Sequence, residues 1–423
     1  MANNLIIQKS RRTAMLADIQ NDLNQRLPDY LEILRHMVGI NSFTANAAGV
    51  NRLAEYTASI FAGLGFRPEY VQSVNPAFGK HLFLQSGVIK DPQAPTIAMI
   101  SHLDTVFPPE EEQHNNFIWR VEGDRAYGPG TIDIKGGTLM IFMVLQALRD
   151  FAPQSFQRVR WLVCLDASEE TLSEDFGKLC LERLQRSSSA TCLVFEGGTP
   201  NPEALPIVTA RKGRAEFGIS VEGRSAHAGN YHKQGANAIV QLARTILDVA
   251  SFTDYENNLT FNVGVAQGGS VVNRVPHYAE ARVEMRTFDP LVFEQGMQRM
   301  LALDGSSQVS SYDGFPCRVS VKLLSRNPPW PRNPQTDRLY EVWSASAASL
   351  GYRTTPEQRG GLSDGNLLWK YYPTLDGLGP TGNNAHCSER SADGSKEQEY
   401  VLISSFVPKA LVNIASILRL LGH

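Results

Sequence analysis

The chain has 423 residues, 42% hydrophobic, 9% aromatic and 20% charged, enough for two or three domains with ample apolar core. Forty basic against 43 acidic side chains leave a net charge of -3, which excludes the broad basic field of a nucleic-acid-binding surface. The same figures exclude the low hydrophobicity and high net charge of a disordered chain.

Residues 1–12 are polar and basic, with no following apolar core of the secretory kind. No run of the ~18 apolar residues that a membrane span needs is evident, so a cytoplasmic protein is expected, with no membrane partner. Apolar positions at helical spacing, such as Leu23, Leu27, Leu31 and Leu34, predict a helix over residues 14–38 and a second over about 51–64. Three near-continuous apolar runs follow, at residues 95–100, 159–165 and 190–195, and read as strands buried on both faces of an α/β sheet. Helical pattern separates them at 136–148 and 173–185. Each run ends in ionisable residues: His102 and Asp104, then Glu169 and Glu170, then Glu196. In open α/β sheets ligands sit outside the carboxyl ends of the strands, so three such endings point to one site.

The rhythm then changes to a strand at 212–221, a helix at 236–250, strands at 259–266 and 278–286, a helix at 291–303 and a strand at 317–324. That β-α-β-β-α-β order is the ferredoxin-like split motif, expected as a separate lobe over residues 211–325. Pro-rich residues 327–331 mark its exit, and a long helix is expected over 397–421. The larger domain is therefore expected to be discontinuous, over residues 1–210 and 326–423. Five cysteines, Cys164, Cys180, Cys192, Cys317 and Cys387, are odd in number and lack C-x-x-C spacing, against a disulfide framework or thiolate zinc site.

His102, Asp104, Asp133, Glu169, Glu170, Glu196 and His386 form the chemical core of the sequence. Imidazole and carboxylate groups without thiolates suit Zn²⁺, Co²⁺ or Mn²⁺ in a hydrolytic site. Two ions sharing one carboxylate, each with one His and one further carboxylate, need two histidines and three acids. Ions ~3.5–4 Å apart activate water and stabilise a developing oxyanion.

The run His102-Leu103-Asp104, then Asp133-Ile134-Lys135-Gly136-Gly137, then Glu169-Glu170, Glu196 and His386 resembles the M20 family of di-zinc metallopeptidases and amidohydrolases. The family includes glutamate carboxypeptidase, succinyl-diaminopimelate desuccinylase and aminoacylase relatives. The resemblance implies a mixed-sheet α/β catalytic domain with an inserted ferredoxin-like lid and dimerisation domain. It implies that His102 and Glu196 hold one metal, Glu170 and His386 the other, and that Asp133 bridges them. Glu169 becomes the general base and Asp104 the partner that fixes the His102 tautomer. Gly223-Arg224-Ser225-Ala226-His227-Ala228-Gly229 matches a stretch whose histidine reaches across a homodimer and polarises the scissile carbonyl. Asn273 and Arg286 match a lid asparagine and a substrate-carboxylate clamp, and Gly361 and Ser363 fall in loops that line the substrate pocket. The stretch after Glu170 is longer than in many relatives, and Ile134 stands where Asp or Met is more usual.

The expected reaction is hydrolysis of an amide bond in a small peptide or N-acyl amino acid with a free carboxylate, glutamate-carboxypeptidase-like in the first reading. An aminoacylase, N-carbamoyl amidohydrolase or deacylase activity is the alternative. A non-catalytic metal-binding relative is more remote. So is a serine hydrolase, in which Gly361-Leu362-Ser363-Asp364-Gly365 forms a nucleophile elbow with Asp376 and His386. Residues 356–360 read as a poor strand for such an elbow, and Asp376 and His386 fall too close together in the chain.

Overall fold

The computed structural model describes residues 2–87, 91, 93–185 and 189–422. The chain clusters into two units. One comprises Met1–Thr209, Asn333–Glu357 and Ser363–His423; the other comprises Ala210–Arg332 and Gln358–Leu362.

In chain order the first unit opens with α1 (Ala2–Val38) and α2 (Ala47–Ala62), the latter capped by Asn46, whose side chain accepts the Gly49 N–H. Strands β1 (Arg67–Gln72), β2 (Lys80–Gln85), β3 (Thr96–His102), β4 (Arg120–Glu122) and β5 (Arg125–Tyr127) follow. Then come α3 (Gly136–Phe151), β6 (Arg160–Asp166), α4 (Phe176–Leu184) and β7 (Ala190–Val194). Strand β8 (Leu205–Arg211) carries the chain into the second unit, which holds β9 (Gly213–Glu222), α5 (Ala238–Ala250), β10 (Thr260–Gly268), β11 (Tyr278–Thr287), α6 (Pro290–Leu301) and β12 (Arg318–Asn327). Helix α7 (Pro334–Ser349), β13 (Thr354–Arg359), β14 (Thr374–Leu375), β15 (Gly382–Asn383), β16 (Tyr400–Leu402) and α8 (Phe406–Leu420) complete the chain.

The main sheet of the first unit has the order β1-β2-β6-β3-β7-β14. Strands β6, β3, β7 and β14 pair in parallel, while β2 pairs antiparallel with both β1 and β6, so the sheet is mixed as expected. All seven residues of β3 are buried, which accounts for its near-continuous apolar run. Side chains from α1, α2, α3, α7 and α8 share one apolar core with one sheet face. Helix α4 packs with Phe83, Ile100, Cys164 and Cys192 on the other.

Two helical stretches, Thr131–Phe151 and Ile403–Leu420, are long and apolar enough to cross a membrane, contrary to the expectation that no run reaches that length. Of these windows 89% and 67% is buried inside the protein, so burial among neighbouring elements explains their apolarity.

The helix expected over 397–421 begins only at Phe406. Tyr400 and Val401 instead pair with Tyr127 and Ala126 of β5, and Pro408, which lacks an N–H, sits in the first turn of α8. The four-stranded sheet β15-β16-β5-β4 was not foreseen. Its strands of two or three residues are too short to show an alternation.

The second unit is a four-stranded antiparallel sheet of order β10-β11-β9-β12 with α5 and α6 on one face, the ferredoxin-like arrangement. Strand β9 alternates buried and half-buried residues, with Ala215, Phe217, Ile219 and Val221 inward.

Candidate metal centre

Parallel β6, β3 and β7 are neighbours, so their carboxyl ends lie along one edge of the sheet. His102 is the last residue of β3. Glu169 and Glu170 form a single helical turn just after β6, and Glu196 follows β7.

Asp133 comes from the turn Thr131–Lys135 that leads into α3, where the Asp133–Ile134 peptide is cis. Glycines allow this approach. A Cβ at Gly137 would stand 2.0 Å from the Phe195 carbonyl oxygen, so only glycine lets α3 start against the strand end that carries Glu196. Gly130 adopts φ +79°, and a Cβ there would meet the buried Lys135 tail at 3.1 Å. Lys135 Nζ donates to the Ile40 carbonyl at 3.1 Å, and burial lowers its pKa to about 8. His386 lies in the loop after β15 with φ +66°.

These residues converge. Asp133 Oδ1 lies 3.0 Å from His102 Nε2, and Asp133 Oδ2 lies 3.2 Å from His386 Nε2. The two oxygens of one carboxylate thus face two separate imidazoles. His386 Nε2 also lies 3.2 Å from Glu170 Oε2, and Glu196 Oε1 is 4.0 Å from His102 Nε2. Ligand atoms of His102, Asp133 and Glu170 all fall within 4.8 Å of one another.

Asp104 does more than orient a histidine. His102 Nδ1–H donates to the Asp104 backbone carbonyl at 3.0 Å, with the Asp104 carboxylate at 3.3 Å. The backbone carbonyl is therefore the nearer of the two Asp104 acceptors. The carboxylate accepts the backbone N–H groups of Glu169 at 3.1 Å and Glu170 at 3.2 Å, and the Thr44 hydroxyl at 2.6 Å.

The electrostatics are those of crowded acids. Burial, then Glu196, Glu170 and Asp133, hold the Glu169 carboxyl well above the ordinary range. Burial, then Asp133, push Glu170 up to about 7. Hydrogen bonds to Asp133 and Glu170 push His386 up to about 11. Burial opposes a charge on His102, but Asp104, Asp133 and Glu169 raise its pKa well above the usual value. Burial likewise opposes a charge on Asp133, but His102 and His386 lower its pKa. Glu170 Oε1 is buried with no hydrogen-bond partner. Imidazole nitrogens, clustered carboxylates, no thiolate and an orphaned acceptor fit divalent cations of the Zn²⁺, Co²⁺ or Mn²⁺ type.

The second unit carries His227, Asn273, Arg286 and Gly361. His227 is exposed, and its Nδ1 accepts the N–H groups of Gly229 at 3.2 Å and Asn230 at 3.1 Å, so the ring hydrogen sits on Nε2. Asn273 is exposed beside it, its carbonyl accepting the Ala228 N–H at 3.0 Å. Arg286 forms a two-point ion pair with Glu284 at 2.7 and 3.1 Å and donates to the Gly360 carbonyl at 2.7 Å. The Gly361 carbonyl accepts from buried Arg211 at 3.2 Å.

Ser363 lies in the first unit and is buried. Its hydroxyl donates to Asp376 at 2.8 Å and accepts the Gly365 N–H at 3.2 Å. A strand, β13, does stand ahead of Ser363, contrary to expectation. The nucleophile reading fails for another reason: the hydroxyl is turned to a carboxylate, and His386 Nε2 is engaged by Asp133 and Glu170.

Thr44 and Glu399 were missed by the sequence reading. Glu399 is fully buried and accepts the backbone N–H groups of Ile132 and Asp133 at 3.0 and 3.3 Å. No motif marks either residue, since each acts on a segment far away in sequence.

Residues 209–303 match the family model described as a peptidase dimerisation domain. Carboxypeptidase G2 of Pseudomonas sp. (strain RS-16) is 26% identical over 397 residues, covering 93% of this chain and 90% of the relative. Acetylornithine deacetylase of Edwardsiella ictaluri (strain 93-146) is 25% identical over 280 residues, 62% of this chain and 69% of the relative. The M20 family metallo-carboxypeptidase Sso-CP2 of Sulfolobus solfataricus shares the fold, with a TM-score of 0.68 at 14% identity over 92% of this chain and 98% of that one. In its dimerisation-domain match, its relatives and its fold the chain is thus similar to the M20 metallopeptidases and deacetylases, hydrolases that act on amide bonds.

Proposed function

We propose that the chain is a two-metal hydrolase that cleaves the amide bond of a small peptide or N-acyl amino acid bearing a free carboxylate, in the manner of a glutamate carboxypeptidase. The carrying observation is Asp133, whose two carboxylate oxygens face His102 and His386 separately. In this reading His102 and Glu196 hold one cation, Glu170 and His386 the other, and Asp133 is shared. Bound divalent cations, zinc in the first instance, supply Lewis-acid activation of water and of the substrate carbonyl.

The chain's own residues do the rest. Asp104 holds the Glu169–Glu170 turn through two backbone N–H groups. Burial and neighbouring acids make the Glu169 carboxylate more basic than a surface glutamate, the direction a general base requires. Glu169 takes a proton from the attacking water and returns it to the leaving amine. His227, with its hydrogen on Nε2, donates to the developing oxyanion in the site of a partner subunit, which makes the working form a homodimer built through the second unit. Asn273, Gly361 and Ser363 belong to the loops that receive substrate. Arg286 binds the substrate carboxylate by exchanging it for Glu284. Five unpaired cysteines accord with a cytoplasmic setting.

Deacylation of an N-acyl amino acid is the second reading, favoured by the similarity to acetylornithine deacetylase. The deciding experiment gives zinc-loaded enzyme a panel of C-terminal glutamyl amides, other dipeptides and N-acetyl or N-carbamoyl amino acids. Fastest turnover of the glutamyl amides, abolished by chelation and restored by Zn²⁺, is expected. Turnover of N-acetyl amino acids alone would select the second reading, and chelator-resistant turnover would refute both.

A further inference from the structure

Glu399 stands where the two loops bearing Asp133 and His386 meet. One carboxylate oxygen accepts the N–H groups of Ile132 and Asp133. Its own backbone N–H donates to the carbonyl of Cys387, the residue after His386, at 2.8 Å, and its carbonyl accepts the Gly128 N–H at 3.4 Å. The next residue, Tyr400, pairs with Tyr127 on one side and Asn383 on the other. One side chain and one peptide unit thus connect the turn that delivers the shared ligand to the loop that delivers a terminal one.

His386 needs such an anchor more than His102 does. His102 ends a buried strand and is pinned through Nδ1 to the Asp104 carbonyl. The His386 side chain is 52% exposed, on a loop in the left-handed region of backbone space. Glu399 Oε2 is buried without a hydrogen-bond partner, an arrangement that local hydrogen bonding alone does not explain.

We infer that Glu399 is a positioning residue that sets the separation of Asp133 and His386, and so governs the cation held by Glu170 and His386 more than the cation held by His102 and Glu196. The inference rests on the two-metal reading above. Residues one step outside a metal's ligands typically alter its affinity by about 10–100-fold.

The test titrates Zn²⁺ into metal-depleted wild type, Glu399→Gln and Glu399→Asp, reading both dissociation constants by calorimetry with a competing chelator. Gln keeps an acceptor oxygen at the same reach and loses the charge, whereas Asp keeps the charge and loses the reach. Glu399→Asp is expected to weaken one of the two ions about 10–100-fold while the other stays within about threefold. Glu399→Gln is expected to match wild type at both. Two unchanged constants in Glu399→Asp, equal weakening of both ions, or a Gln variant as weak as Asp would overturn the inference. If thermal melts show that Glu399→Asp does not fold, weakened binding in Glu399→Gln alone suffices to overturn it, and unweakened binding supports it. Wild type that binds fewer than two ions would refute the two-metal reading itself.

Discussion

The carboxylate of Asp104 accepts the backbone N–H of Glu169 at 3.1 Å, tying the residue that follows a metal-site histidine in the H-x-D motif to the proposed catalytic base. Its other oxygen takes the N–H of Glu170 and the hydroxyl of Thr44. Asp104→Ala should therefore weaken metal binding about 10–100-fold and lower kcat at saturating metal. Thr44→Val should do the same to a smaller degree. Metal titration and steady-state kinetics check this, and unaltered kcat at full metal loading would show that the clamp does not orient Glu169.

Glu169→Gln should retain both metals and lose about 10²–10⁴-fold in kcat, the span attributed to a positioned general base. His227→Ala should also be inactive, yet mixing the two variants under subunit exchange should recover measurable activity, because one mixed site then carries both Glu169 and His227. Activity of exchanged mixtures is the readout. No recovery, with heterodimers demonstrated, would place His227 outside the partner's site.

His81 is completely buried, between Asp166 at 3.0 Å and Asp175 at 3.2 Å, with the Phe176 ring beside it. Burial opposes its charge, but the two aspartates outweigh burial and raise its pKa above 6.5. A raised histidine contributes stability that is fully present below the unfolded pKa and lost as pH rises through the folded one. The melting-temperature gap between wild type and His81→Gln should therefore narrow as pH rises from about 6 to about 9. A gap that holds or widens would contradict this sign.

Gly137→Ala should destabilise the first unit by about 1–3 kcal/mol or more, since its Cβ would overlap the Phe195 carbonyl. The same shift moves Asp133 away from Glu196, so metal affinity should fall with stability. Denaturant melts and metal titration on the same samples check the pair. A stable Gly137→Ala protein with full affinity would show that the close approach is dispensable.

Most of the proposed ligand set was legible because its members follow a recognisable strand or sit in a dense motif, whereas His386, on a loop, was picked out by the family resemblance. His102, Glu170 and Glu196 follow apolar runs, and Asp133 precedes paired glycines. The ferredoxin-like lobe was legible because β9 and β11 alternate with period two. What supports the site was not. Thr44 and Glu399 act through hydrogen bonds to segments 60 and 266–267 positions away, and such pairings leave no local pattern. Tyr400–Leu402 read as helix because its apolar residues continue the period of α8, and only pairing with β5 makes it a strand. The ion pair of Arg286 with Glu284 leaves no signal of its own, since i and i+2 share a strand face whether or not they bond.

The proposed function turns on Asp133 being shared between two cations. The direct measurement is calorimetric titration of Zn²⁺ into folded, metal-depleted protein, for wild type and Asp133→Ala. Two equivalents bound by wild type, with both weakened together in Asp133→Ala, is the result expected. A single equivalent in wild type, or loss of only one ion in the variant, would contradict the shared-ligand centre.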